Sequence, residues 1–170
     1  MTPVHTAESA VQGTGAFATI AFETGAHILT IDDSRIVDDA HPLRPELDEN
    51  EWHCDYLADG RVVLMQPPER YINHSCDPNT YVKTSGGARV VIARRPILPG
   101  EEITYDYAVN GEGGVPWDCH CGAPRCRGTE TRADYFTLPR HIQIEYRPLL
   151  DDWFVAQYRD RIAALNLPVP

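Results

Sequence analysis

Short apolar stretches separated by glycine and proline fill the first two thirds of the chain. Several are rich in β-branched and aromatic residues, which predicts strands at residues 62–65, 81–83, 89–93 and 102–105. Residues 85–87, Ser-Gly-Gly, predict a hairpin turn between two of these strands. An apolar residue, a glycine turn and a strand recur in the segments that begin at Ala18 and Ala93. With few identities, this echo indicates a shared local turn, not a repeat architecture.

In the last third of the chain, the apolar residues are spaced differently. Apolar residues follow steps of three or four at Leu150, Phe154, Tyr158, Ile162 and Leu165, with charged residues between them. This pattern predicts an amphipathic helix of about four turns whose apolar stripe is a packing face. Residues 35–51 are polar and broken by prolines, so we expect an irregular insert or a short helix there. The sequence therefore predicts a mostly β fold with α additions.

Composition narrows the function classes. The 170 residues include 25 acidic and 15 basic side chains, for a formal charge of −10, and only one lysine. A phosphate-binding surface needs a basic face, so direct nucleic-acid binding is not expected. A cationic partner fits the acidic balance better, and a solvated acidic surface without a partner is the commoner alternative. No apolar run approaches the roughly 20 residues of a membrane span, and the first residues lack a secretory pattern. We expect an intracellular protein without a membrane segment.

Five cysteines in an intracellular chain point to metal binding or catalysis instead of disulfides. Cys119, Cys121 and Cys126 lie within eight residues that Gly-Ala-Pro bends, so their thiols can converge on one soft cation such as zinc. A fourth ligand from a distant segment makes a structural site, whereas an open position that holds water makes a catalytic one. The candidates for the fourth ligand are Cys54, Cys76, His74 and His120.

Residues 70–79 form the second motif that could carry chemistry. Their small polar side chains and proline predict a structured turn with many hydrogen bonds. A cysteine–histidine nucleophile pair is disfavoured, because His74 and Cys76 are only two positions apart and catalytic pairs come from distant segments.

Two further motifs are weak by themselves. Tyr105 and Tyr107, at the end of residues 101–107, project from the same face of a strand, which in isolation indicates a core stripe. Residues 13–18 match a loose G-x-G-x-x-A pattern, but no apolar strand precedes them as a dinucleotide site requires. A glycine loop that approaches a ligand closely is the alternative.

Together and in this order, the four motifs resemble the SET-domain protein-lysine methyltransferases. Residues 13–18 resemble the family's N-terminal glycine motif, and residues 70–79 its asparagine-histidine-serine-cysteine motif. Residues 101–107 resemble the motif that contains the catalytic tyrosine, and residues 119–128 a post-SET zinc segment. The resemblance covers about residues 8–128, and no pre-SET cysteine cluster precedes it.

The resemblance implies a fold of small curved β-sheets with a knot-like crossing, where residues 73–79 pass close to residues 101–107. Cofactor and lysine then meet from opposite faces through a narrow channel. It also implies three parts: a SET domain at 1–115, a post-SET zinc segment at 116–130, and a C-terminal helical extension at 131–170 packed on the SET body.

The family's ligands can be carried over to matching positions. One structural Zn²⁺ is expected on Cys76, Cys119, Cys121 and Cys126, which leaves Cys54 as a small half-buried side chain. The cofactor is expected to be S-adenosylmethionine. Its implied binding residues are Gly13, Thr14, Gly15, Tyr71, Asn73 and His74.

The implied reaction is methyl transfer to the neutral amine of a lysine in a basic, histone-like protein. Tyr107 matches the catalytic tyrosine that orients the amine and the methyl group. Tyr105 stands where a hydroxyl can hold a water in place of a further methyl group, which predicts mono- or dimethylation. Tyr56 is the candidate for the other wall of the lysine channel, with a role in the core as its alternative. Trp52 and His53 are the other candidates for this wall, because the register is ambiguous.

Two other functions compete with this interpretation. A degenerate SET fold could bind a basic protein without turnover, although the intact tyrosine pair argues against decay. An open zinc site could instead support a hydrolase. For the methyltransferase, we expect a cytoplasmic location in a bacterium and a nuclear or cytoplasmic one in a eukaryote.

Overall fold

The computed structural model describes residues 2–168, in which ten strands form three small sheets. Met1, Val169 and Pro170 lie outside the described residues. They are the ends of the predicted parts 1–115 and 131–170. The strands are β1 (Val4–Glu8), β2 (Thr14–Ala18), β3 (His27–Thr30), β4 (Ile36–Val37), β5 (Cys54–Tyr56), β6 (Val62–Leu64), β7 (Asn73–His74), β8 (Thr80–Ser85), β9 (Ala88–Ala93) and β10 (Glu102–Tyr105).

The helices are short. The α-helices are α1 (Arg140–Tyr146), α2 (Asp152–Gln157) and α3 (Arg159–Ala164). The 3-10 helices are Pro45–Leu47, Glu51–His53, Glu69–Tyr71, Gly128–Glu130, Tyr135–Thr137 and Arg147–Leu149. Among residues 2–168, no helix has the length and apolar character needed to cross a bilayer.

The sheets are β1-β2-β10-β7, β3-β9-β8 and β4-β6-β5. This arrangement confirms the predicted class, mostly β with small sheets. The four strands predicted from the apolar pattern correspond to β6, β8, β9 and β10. Gly86 and Gly87 both have left-handed φ angles, 60° and 84°, between the paired ends of β8 and β9. The predicted hairpin is thus present, in the tight form that two such residues favour.

Two distant segments lie side by side at the centre of the molecule. β7 pairs with β10 in parallel, with Asn73 opposite Thr104 and His74 opposite Tyr105. Farther along, Asn79 donates from Nδ2 to the carbonyl of Glu102 at 2.7 Å. Residues 73–79 therefore lie against residues 101–107, as the family resemblance implies.

The two echoed glycine turns contact each other reciprocally. Phe22 and Ile97 exchange both backbone hydrogen bonds, each at 2.9 Å. The Gly25 N–H donates to the carbonyl of Ala93 at 2.7 Å, and the Gly100 N–H donates to the carbonyl of Ala18 at 2.8 Å. The echo is thus a pair of local turns that hydrogen-bond to each other reciprocally.

Two apolar clusters hold the fold together. The first lies between the β1-β2-β10-β7 and β3-β9-β8 sheets and includes Ala16, Val91, Ile97 and Ile103, all with no exposed surface. The second joins the C-terminal helices to Ala108, just beyond the tyrosine pair. Its buried members are Ala108, Tyr135, Leu138, Ile142, Tyr146, Leu150, Phe154 and Ile162.

The predicted four-turn helix requires a correction. The structure breaks it at Tyr158, whose φ and ψ of −107° and 26° separate α2 from α3. The stripe still forms a packing face, because Leu150, Phe154 and Ile162 are buried in the second cluster. α1 was not predicted: its seven residues follow Pro139 and precede Pro148, so the apolar spacing has too little length to stand out.

Candidate active site and metal centre

The glycine loop is held against the Asn73 side chain. Asn73 Nδ2 donates to the carbonyls of Gln12 and Thr14 at 3.1 and 3.2 Å, and to Glu102 Oε1 at 2.9 Å. The same carboxylate accepts from Ser9 Oγ at 2.8 and 2.9 Å. β10 therefore anchors the loop through Glu102, and several oxygen acceptors converge at one point.

A side chain at Gly15 would push against the Glu102 carboxylate. A Cβ atom at this position would stand 2.4 Å from Glu102 Oε1, a distance that forces the carboxylate to move. Gly13 is required by conformation, because its φ of 51° lies in the left-handed region. The loop thus combines a close backbone approach with a cluster of acceptors, which suits a ligand that carries an ammonium group.

Tyr105 and Tyr107 lie together at the end of β10, with ring centroids 4.8 Å apart. The Tyr107 hydroxyl donates to the carbonyl of Ile72 at 3.0 Å. Burial, together with the nearby Glu102 carboxylate, raises the pKa of Tyr107 to about 12. Burial also raises the pKa of Tyr105 well above its usual value. Both phenols therefore stay protonated near neutral pH and are not bases, and the Tyr107 hydroxyl acts as a hydrogen-bond donor.

His74 connects the tyrosine pair to the thiols. Burial lowers its pKa to about 4, so the imidazole is neutral. Nδ1 accepts from the Tyr107 N–H at 3.3 Å, which assigns the proton to Nε2, 3.3 Å from Cys76 Sγ. The ring also packs edge-on against Trp117 with centroids 5.2 Å apart. Trp117 completes this side of the site, and sequence reasoning missed it.

A cavity of about 810 Å³ opens on the other side of the tyrosine pair. Tyr105 and Tyr107 line it together with Trp52 and Tyr56. Tyr56 is 71% exposed and lies at the cavity, not in the core. Aromatic side chains of the C-terminal helices line the cavity as well, at Trp153 and Tyr158.

β8 contributes alternate side chains to this cavity. Val82 and Thr84 line it, and Lys83 between them is not a lining residue. Strand alternation directs Lys83 to the opposite face.

The other residues considered for the channel, the cofactor and the metal lie at different places. His53 packs edge-on against Tyr71 with ring centroids 5.8 Å apart, so the contact seen for Tyr71 is with His53. Cys54 is half-buried, and its thiol lies 3.8 Å from the carbonyl of Asn50. It stands apart from the other cysteines, and His120 is exposed.

Four cysteine thiols converge. The Sγ atoms of Cys76, Cys119, Cys121 and Cys126 all lie within 4.8 Å of one another. Cys76 comes from the turn after β7, and the other three come from the loop after Trp117. Of the candidates for the fourth ligand, the structure brings Cys76 to this group.

The chemistry of these thiols suits a metal ion. Burial raises the pKa of Cys76 to about 11 and raises that of Cys119 further. Burial opposes ionisation of Cys121 too, but backbone N–H groups of Cys76 and Ala123 lower its pKa to about 7. Two buried thiols that resist ionisation beside two more thiols make a donor set that a soft cation deprotonates and holds.

Comparison with known proteins identifies the family that the sequence motifs resemble. The family model described as SET domain matches residues 13–108, more than half of the chain. Histone-lysine N-methyltransferase ASHH3 of Arabidopsis thaliana is 33% identical over 126 residues, covering 68% of this chain and 34% of its own length. Histone-lysine N-methyltransferase trr of Drosophila melanogaster is 35% identical over 137 residues, 73% of this chain and 6% of its own.

A third relative is described as histone-lysine N-methyltransferase, H3 lysine-36 specific, from Candida glabrata, 46% identical over 81 residues. That match covers 43% of this chain and 11% of the relative. A solved Plasmodium falciparum chain overlaps with a TM-score of 0.49 at 20% identity, covering 63% of this chain and 94% of that one. The chain spans about a third or less of the curated relatives named here. On the family match over residues 13–108, the chain belongs to the SET-domain family.

Proposed function

We propose that the protein transfers methyl groups from S-adenosylmethionine to the side-chain amine of a lysine in a basic, histone-like protein. One observation carries this proposal: the protonated Tyr107 touches Tyr105 at the cavity on one side and His74 on the other. A residue in this position can orient an amine and a methyl group that arrive from opposite faces. The relatives described as histone-lysine N-methyltransferases support this substrate class.

The glycine loop and the adjacent side chains fit the cofactor. The oxygens around Asn73 suit the ammonium of its methionine end, and Gly15 keeps the space beside Glu102 open. We assign cofactor contacts to Gly13, Thr14, Gly15, Asn73 and His74, with Trp117 beside them, and keep Tyr71 as an outer member of this set. S-adenosylmethionine, when bound, would supply a methyl group on a positively charged sulfur.

The residues at the channel prepare the acceptor amine. A free lysine has a pKa of about 10.4 and is charged at neutral pH. Burial away from water, beside the positively charged sulfur of a bound cofactor, would disfavour the ammonium form, so the amine would lose its proton to water on entry. Because the pKa of Tyr107 is about 12, its hydroxyl does not take that proton and instead positions the neutral amine.

The thiol cluster fits one structural zinc ion. The four thiols would supply all four ligands that a structural zinc ion takes and leave no position for water, which argues against the hydrolase alternative. Zinc would tie the loop after Trp117 to the turn after β7 and thereby close the cofactor side.

We retain the division into residues 1–115, 116–130 and 131–170. The last part adds Trp153 and Tyr158 to the cavity, so we assign it one wall of the substrate groove. An intracellular setting fits both a histone-like substrate and five free cysteines.

Incubation with methyl-labelled S-adenosylmethionine and core histones tests the function. We expect label on lysine side chains, located by mass spectrometry. Cofactor binding without transfer to histones or to other basic proteins would favour the non-catalytic binding module.

Gly15→Ala is expected to weaken cofactor binding roughly tenfold or more, because the new Cβ displaces Glu102 and its charge-assisted hydrogen bond to Asn73. Isothermal titration calorimetry measures the change. Glu102→Asp shortens the carboxylate, so its effect combined with Gly15→Ala should be less than additive. Wild-type affinity in Gly15→Ala would contradict this placement of the cofactor.

Tyr105→Phe is expected to shift the products from mono- and dimethyl-lysine towards trimethyl-lysine, because it removes the hydroxyl that holds a water where another methyl group would stand. Mass spectrometry of the product peptide measures the ratio. Tyr81→Phe, on β8 outside the cavity lining, is the matched control. A trimethylated wild-type product, or an unchanged ratio in Tyr105→Phe, would contradict the prediction.

A further inference from the structure

One arginine contacts both the thiol cluster and the strand end that bears the tyrosines. The Arg127 N–H donates to Cys76 Sγ at 3.4 Å. Its guanidinium makes two parallel hydrogen bonds to Asp106, Nη1 to Oδ2 at 2.6 Å and Nη2 to Oδ1 at 2.8 Å. The Arg127 side chain is 13% exposed and that of Asp106 is fully buried. This is a shielded, charge-assisted and geometrically specific contact.

Asp106 determines how the backbone turns at the tyrosine pair. Its Oδ1 also accepts from the Ala108 N–H at 3.0 Å, and its carbonyl accepts from the Val109 N–H at 2.9 Å. Tyr105 and Tyr107 flank it directly in the sequence. A change in the Asp106 side chain therefore changes the direction from which the Tyr107 ring enters the site.

We propose that Arg127 is a positioning residue that couples the thiol cluster to the catalytic tyrosine through Asp106. This inference rests on the proposed methyl transfer. Arg127 directly follows Cys126, and its backbone donates to Cys76, so residues of the cluster determine where its guanidinium lies. The guanidinium in turn holds a carboxylate that would be costly to bury alone. The loop that carries Cys119, Cys121 and Cys126 thus affects the rate of methyl transfer as well as the stability of the fold.

The ion pair differs from the neighbouring ones. Arg125, two residues earlier, pairs with Glu145 of α1 and Asp77 and so connects the same loop to the C-terminal helices. Arg94 also pairs with Asp77 and Glu145, away from the tyrosines. Of these three arginines, Arg127 is the one that reaches the strand end of the active site.

Arg127→Lys in the full chain tests the coupling, with Arg94→Lys as the matched control. Lysine keeps the charge but loses the two-pronged geometry. We expect zinc content and cofactor affinity, from elemental analysis and calorimetry, to stay within about twofold of wild type. We expect kcat to fall about 100-fold, the scale of a misplaced reacting group, with little change in KM for the peptide. The ratio of mono- to dimethyl product should also shift. Arg94→Lys should change none of these quantities.

The outcomes separate the two proposals. An inactive wild type refutes the proposed function itself. An active wild type with unchanged kcat and product ratio in zinc-loaded Arg127→Lys refutes only the coupling. If Arg127→Lys does not retain zinc, Asp106→Asn with Arg127→Gln removes both buried charges and is measured instead. Wild-type kcat and product ratio in that folded, zinc-loaded variant would overturn the inference, and a loss of kcat at full zinc content would support it.

Discussion

Tyr107→Phe is expected to lower kcat for methyl transfer by about 100-fold or more, with cofactor affinity nearly unchanged. The hydroxyl is 3.0 Å from the carbonyl of Ile72 and stays protonated, so in the proposed reaction it contributes by aligning the amine with the methyl group. The ring remains in the variant and keeps its packing against His74 and Tyr105. The loss should therefore appear in the chemical step and not in folding.

Single-turnover transfer of labelled methyl groups measures this effect, with calorimetry for cofactor binding. Tyr105→Phe is the informative comparison, because it removes a hydroxyl from the neighbouring ring and should change products more than rate. If Tyr107→Phe retained wild-type kcat, a different group would have to align the amine.

Metal removal should have the second large effect. The cluster joins Cys76 to residues that follow it by more than forty positions, and binding energy at such a site becomes folding energy. Because burial raises the pKa of Cys76 and Cys119, their thiols gain little from staying together without a cation. We expect a strong chelator to abolish methyl transfer and to lower Tm by roughly 10 °C or more.

Elemental analysis should find one zinc ion per chain before chelation. After it, thiol titration should count four newly reactive cysteines, and added zinc should restore activity. Cys76→Ser is expected to lose the metal, whereas Cys54→Ser should keep it because Cys54 stands apart. An unchanged melting temperature after complete removal of the metal would show that the cluster does not stabilise the fold.

The local parts of the fold were readable from the sequence. β10 lies where β-branched and aromatic residues predict it, and Gly86 and Gly87 specify their turn. The break at Tyr158 was not readable, because an apolar stripe spaced by three or four residues looks the same across a short interruption. Pairing between segments far apart, such as β7 with β10, came only from the family resemblance.

The candidate site also has parts that the sequence predicts and parts that only the folded structure shows. The cysteine spacing indicated a metal loop, and family resemblance placed Cys76 beside it, which the geometry supports. Trp117, Glu102 and Arg127 were missed because their roles depend on contacts with distant residues. Glu102 and Arg127 resemble ordinary surface charges in the sequence, and only folding shows their partners, Asn73 and Asp106.

Lys83 has a practical consequence for work on this chain. Fourteen of its fifteen basic side chains are arginine, and its single lysine faces away from the cavity on β8. Under the proposed function, one copy does not present Lys83 to its own channel. Methyl label found on this protein is therefore expected either on a Lys83 that a second copy has methylated or on the terminal amine. The same arrangement leaves amine-directed dyes and cross-linkers one side chain to react with, at a known point outside the groove.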